Sequence, residues 1–160
     1  MNRLALLLLP LLAGCAVNEV GAGILANRCS DWYETGQVIK PHDDLTRTIR
    51  ELLTRQGYDT PTFDASKDWV ETDWDIHLSP RFREGYRTKL EVELLPLERG
   101  GYNIRSRSWF EVNNEDKNAS NPDKAVWVGA AVSEKHRDRI PEAAMRFHSM
   151  LKLRLFGLNQ

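Results

Sequence analysis

Apolar positions recur along this chain with two different periods, and the change of period divides it into elements. Leu45, Ile49, Leu52 and Leu53 follow a helical period, with Arg47, Arg50, Glu51 and Arg55 on the opposite face. Asp43 or Asp44 can accept from the first-turn N–H groups, and Gly57 suits the left-handed position that ends a helix. The period then becomes two. Val70, Thr72, Trp74, Ile76 and Leu78 alternate with Trp69, Glu71, Asp73, Asp75 and His77. Tyr86, Thr88, Leu90, Val92 and Leu94 alternate with Arg87, Lys89, Glu91 and Glu93. Tyr102, Ile104, Ser106, Ser108, Phe110 and Val112 alternate with Asn103, Arg105, Arg107, Trp109 and Glu111. Strict alternation predicts three strands, each buried on one face. Tyr58 to Phe63 reads as a short edge strand, where Pro61 is tolerated. Ala125 to Val132 reads as a fourth strand or a buried lead-in to the last helix. That helix begins between Ser133 and Pro141 and stacks Ile140, Ala144, Phe147 and Leu151 on one stripe, widened by Ala143 and Met150.

The polar positions predict a register. Glu98-Arg99-Gly100-Gly101 turns the second strand into the third. Placing Leu95 opposite Asn103 sets Glu93 against Arg105, Glu91 against Arg107, Lys89 against Trp109 and Arg87 against Glu111. Each facing pair is compatible and contributes a few tenths of a kcal/mol to about one. Glu71, Asp73 and Asp75 can meet Arg87 and Lys89 from the first strand. This face is expected to be a solvated, cross-paired sheet surface, and Trp74 and Trp127 are expected in the core. The resulting fold class is α+β: a two-layer sandwich with an antiparallel sheet of three to four strands and two helices on one face. Its single domain runs over residues 43–160. Before it, Gly21, Gly23, Gly36 and Pro41 break any period, while Ile24, Leu25, Trp32, Tyr33, Val38 and Ile39 add apolar character. Residues 15–42 therefore read as a tether followed by a partly docked arm.

The first residues change the picture most. Met1-Asn2-Arg3 is a short basic start, and Leu4 to Leu12 is apolar except for Pro10. This stretch is too short to span a bilayer, which takes about 20 residues, and it matches the apolar core of a secretory signal. Leu12-Ala13-Gly14-Cys15 closes it, and the whole resembles a bacterial lipoprotein signal peptide with its lipobox. The resemblance implies cleavage after residue 14 and a lipid on Cys15, with membrane attachment through that anchor and no other cofactor. Ala16, rather than Asp, follows Cys15. By resemblance to enterobacterial sorting signals this implies the outer membrane, facing the periplasm. With Cys15 lipidated, Cys29 stands either as a thiol or as an intermolecular partner.

Charge and chemistry narrow the function further. The chain has 22 basic and 23 acidic side chains, with no basic stripe, which argues against nucleic acid as a partner. His42, His77, His136 and His148 show no metal-ligand spacing, so no metal site is assigned. Asp73, Asp75 and His77 could meet a cation, but pairing with Arg87 and Lys89 is the expected fate of that row. There is no Gly-x-Ser-x-Gly elbow and no phosphate-binding glycine loop, so no catalytic residue is assigned and no enzyme activity is expected. Trp69 and Trp109 on the polar sheet face, with Trp32 and Tyr33 in the arm, are the candidate partner contacts.

Over residues 43–157 the order of elements looks like the helix-grip domain of BamC-like accessory lipoproteins of the outer-membrane barrel-assembly machine. The residues that carry it are the helix ending Arg55-Gln56-Gly57-Tyr58, the strand Asp68-Trp69-Val70-Glu71-Thr72-Asp73-Trp74, the hairpin after it and the closing helix to Gly157. That family commonly has two such domains, and this chain has room for one. The expectation is a non-catalytic envelope lipoprotein that binds another envelope protein in an outer-membrane assembly or maintenance complex. Two alternatives stay open: lipid or lipopolysaccharide handling, and an envelope hydrolase or its inhibitor.

Overall fold

The computed structural model describes residues 28–59, 62–64, 68–79, 84–114, 121–129 and 138–157. Cys15, the residues read as a signal segment, most of those read as a tether, and His136 lie outside these residues. Among them the chain forms β1 (Tyr33–Val38), α1 (His42–Arg55), β2 (Thr62–Asp64), β3 (Trp69–Glu71), β4 (Asp75–Ser79), β5 (Glu84–Pro96), β6 (Tyr102–Asn113), β7 (Trp127–Gly129) and α2 (Glu142–Phe156). The class is α+β, as the alternation implied. The sheet is larger than three to four strands: seven strands pair antiparallel in the order β1-β6-β5-β3-β2, with β4 also on β5 and β7 also on β6.

The long hairpin of β5 and β6 is the frame. Its register is the one that the charge pairs specify: Leu95 faces Asn103, Glu93 faces Arg105, Glu91 faces Arg107, Lys89 faces Trp109 and Arg87 faces Glu111. Gly100 and Gly101 turn it with φ of 84° and 77°, the left-handed region where a Cβ is costly. Gly101 is constrained twice, because a Cβ there would stand 2.5 Å from the carbonyl oxygen of Val38.

α1 and α2 pack on one face of this frame. Leu45, Ile49 and Leu53 from α1 and Phe147 and Leu151 from α2 are fully buried against Val70, Leu90, Val92 and Ile104. Burial of each of the larger side chains contributes about 1.5–3 kcal/mol. The caps differ from expectation. Pro41 holds the N-cap position of α1 without a side-chain hydrogen bond; Asp43 and Asp44 lie inside the first turn, where negative charge suits the helix dipole. Two serines interrupt the apolar face of β6. Ser108 donates to the carbonyl of Ile140, whereas the buried Ser106 hydroxyl has no hydrogen-bond partner among the described residues.

The first predicted strand is broken. Val70 pairs with Val92, but Asp75 pairs with Thr88, so one extra residue is accommodated between β3 and β4. Such a bulge turns every later side chain to the other face. Asp75 and His77 therefore share a face with Thr88 and Tyr86, on the helix side, while Ile76 falls on the side of Arg87. The expected meeting of Asp75 with Arg87 and Lys89 does not occur.

The arm is docked. Residues 28–30 lie along β6 through a bridge of Cys29 to Trp109 and hydrogen bonds from Ser30 N–H to the Ser108 carbonyl and from Phe110 N–H to the Arg28 carbonyl. β1 continues that edge, and β7 completes it at the far end of β6.

Candidate partner-binding face

The face of the sheet away from the helices carries the charges, and they are not solvated as expected. Glu91 is 4% and Glu111 3% exposed. Glu91 accepts from Arg107 Nε at 2.5 Å, and Glu93 accepts from Arg105 Nε at 2.6 Å. Glu111 accepts from Arg87 at 2.5 and 2.8 Å and from Arg28 at 3.1 Å, so two guanidinium groups hold one carboxylate. Lys89 donates to Glu71. Four carboxylates and five cations are thus paired across β3, β5, β6 and the arm.

Tryptophan rings shield these pairs. The Arg87 guanidinium carbon lies 4.2 Å from the ring centre of Trp74 and 4.7 Å from that of Trp127. Arg105 and Arg107 lie 4.5 and 4.4 Å from Trp32. Lys89 stands 5.2 Å from both Trp74 and Trp109. Trp32 meets Trp69 edge to face at 6.2 Å. Such contacts are attractive through the ring quadrupole, about 0.5–1 kcal/mol where exposed and about 2 where desolvated. All five tryptophans of the chain are on this face, each half-buried.

Three of the four predicted contact residues, Trp32, Trp69 and Trp109, come together here. Tyr33 does not. It pairs with Ser106, packs on the core and lies 5.9 Å from the ring of His148 under α2. Trp74 and Trp127, expected in the core, belong to the face instead. The bulge after β3 turns Trp74 to it, and the short β7 brings Trp127 opposite Asn113. Arg28 also joins from the arm. No local signal marks these three, since each depends on where a short segment docks.

Cys29 lies beneath this layer. It is buried, and burial pushes its thiol pKa up, with nearby Arg107 opposing. A protonated thiol is a poor nucleophile. No group of three or more His, Cys, Asp or Glu side chains suited to a metal ion occurs among the described residues. No described helix is long and apolar enough to cross a membrane.

The layer does one thing chemically: it holds paired charges beneath aromatic rings, with Glu91 and Glu111 almost fully out of water. A strongly charged partner finds few unmatched charges here, whereas an apolar or aromatic surface finds flat rings of low conformational entropy. In comparison with known proteins, the chain matches no family model and no curated sequence.

Proposed function

We propose that this protein is a lipid-anchored bacterial envelope protein that binds another envelope protein through its tryptophan-covered sheet face. The anchor reading rests on the lipobox-like Leu12-Ala13-Gly14-Cys15. Three acyl chains at about 0.8 kcal/mol per buried CH₂ would hold the chain on a bilayer without a spanning helix. The binding reading is carried by one observation: five half-buried tryptophans gathered on one sheet face, over a layer of paired charges. Aromatic residues and arginine are the side chains that most enrich protein interfaces and their energetic centres. The partner is therefore an envelope protein with a neutral, aromatic or apolar patch, and the role is that of an accessory component in outer-membrane assembly or maintenance.

Lipid carriage finds less support. It would need an accessible apolar groove between helices and sheet, and among the described residues Leu45, Ile49, Leu53, Leu90, Phe147 and Leu151 pack against one another there.

The experiment has two readouts. Mass spectrometry of the amino-terminal peptide should find a lipidated Cys15, lost in Cys15→Ala; an unmodified amino terminus at another residue would refute the anchor. Cross-linked cells should yield the same envelope protein with the wild type and lose it with Trp69→Ala/Trp109→Ala, while an Arg47→Ala variant on α1 keeps it. Equal recovery with both variants would refute the face.

A further inference from the structure

A second site stands at the open end between the sheet and α2. The cavity of about 300 Å³ is lined by Tyr58, Asp75 and Tyr86 together with Arg139, Glu142 and Arg146. Pockets of this size take small ligands when a few polar groups converge in them.

Its charges are separated by wall. On the sheet wall, Asp75 Oδ2 accepts from His77 Nε2 at 2.8 Å, and His77 stacks on Tyr86 at 4.7 Å. On the helix wall, Arg139 lies 4.3 Å from the Tyr86 ring centre, and Arg146 projects from the next turn of α2. Glu142 stands between the two arginines at 3.5 and 3.7 Å, distances longer than a charge-assisted hydrogen bond. The floor holds Tyr58, whose hydroxyl is pushed up to about 12, first by burial and then by Asp75, and so stays a neutral donor. None of these groups belongs to the tryptophan face.

Two carboxylates and two guanidinium groups leave the cavity with no net charge but with a strong internal polarity. A simple anion would meet Asp75, and a simple cation would meet the arginines. The geometry points to a small zwitterion, an α-amino acid or the free end of a short peptide, with its carboxylate on Arg139 and Arg146 and its ammonium on Asp75. The loosely held Glu142 is then an internal competitor that the ligand carboxylate displaces.

The test is titration of the full, lipid-anchored chain in detergent, followed by calorimetry or NMR, with L-alanine, L-lysine, L-glutamate and the dipeptide Ala-Ala as probes. Acetate and ethylammonium serve as half-probes. At least one zwitterion should bind saturably, with each half-probe weaker by about tenfold or more. Arg139→Gln/Arg146→Gln and Asp75→Asn should each weaken it by about tenfold. Glu142→Gln should tighten it several-fold, a gain that misfolding cannot imitate. Absence of saturable binding by every zwitterion would overturn the proposal. So would acetate binding as tightly as alanine, or affinity unmoved by the three variants.

Discussion

Replacing Arg107 by Met tests whether the charged sheet face is as dry as the structure makes it. Glu91 keeps 4% of its exposure and its carboxylate lies 2.5 Å from Arg107 Nε. Met keeps most of the apolar stem and removes the charge. The carboxylate is then left buried without its partner, a situation that costs about 3–5 kcal/mol. The guanidinium also leaves the rings of Trp32 and Trp109, at 4.4 and 5.4 Å. Against this, the Arg107 side chain is 20% exposed, so water can reach the gap and the lower part of the range applies. The expected loss is about 3 kcal/mol. With a urea dependence of about 1.5 kcal/mol per molar, the unfolding midpoint falls by about 2 M. Tryptophan fluorescence reads this directly, because the rings lie on the cations that are removed. Arg107→Met/Glu91→Leu should return to within about 1 kcal/mol of the wild type, since the buried charge is gone with its partner. Arg105→Met should lose only about 1 kcal/mol, because the Arg105–Glu93 pair is more exposed, at 31% and 20%. A loss under about 1 kcal/mol in Arg107→Met, or a double variant as unstable as the single, would mean that water reaches Glu91 and that the pair is not buried.

Ser106→Ala removes a buried hydroxyl without a partner among the described residues and should leave stability unchanged or raise it by up to about 1 kcal/mol; Ser108→Ala removes a hydrogen bond to Ile140 and should lose about 1 kcal/mol in the same urea titration. Gly100→Ala should cost about 1 kcal/mol in thermal unfolding, for left-handed strain alone, whereas Gly101→Ala, whose Cβ meets the Val38 carbonyl, should cost about 3. His42 bonds Asp68 at 2.6 Å, and that bond raises its pKa above the ordinary 6.5. Its contribution should be fully present below pH 6.5 and lost as pH rises through the raised folded value. The stability difference between wild type and His42→Gln should therefore shrink with rising pH; a difference that grows with pH would contradict the assignment. His148 acts in the opposite sense, because burial lowers its pKa from 6.5, so its penalty develops as pH falls below that value and is complete below the folded one.

The central hairpin was legible because its information is redundant. The turn glycines, the apolar alternation and four facing pairs all specify one register, and β5 and β6 adopt it. Helix α1 was legible for the same reason, as its four buried residues recur at helical spacing. The edges were legible only in part: β2 and β7 have three residues each, too few to display a period, so the segments 58–63 and 125–132 pointed to them without giving their bounds. The break between β3 and β4 was hidden because Thr72, Trp74 and Ile76 read equally well as a continuous alternation. That one residue moved Trp74 to the charged face and Asp75 with His77 to the cavity, so both candidate sites depend on a bulge that residue types do not announce. Tyr33 lies away from the tryptophan face for a simpler reason: it alternates with Trp32, and adjacent residues of an extended chain point to opposite faces.

Site-specific photo-cross-linking in intact cells tests the central proposal most directly. A photoreactive phenylalanine analogue would replace Trp69 on the sheet face in one strain and Arg47 on the outer face of α1 in another. An adduct with one discrete envelope protein is expected from position 69, reduced by Trp32→Ala, and none from position 47. Adducts of equal yield from both positions, or none from position 69 while an established envelope complex cross-links in the same cells, would contradict that proposal.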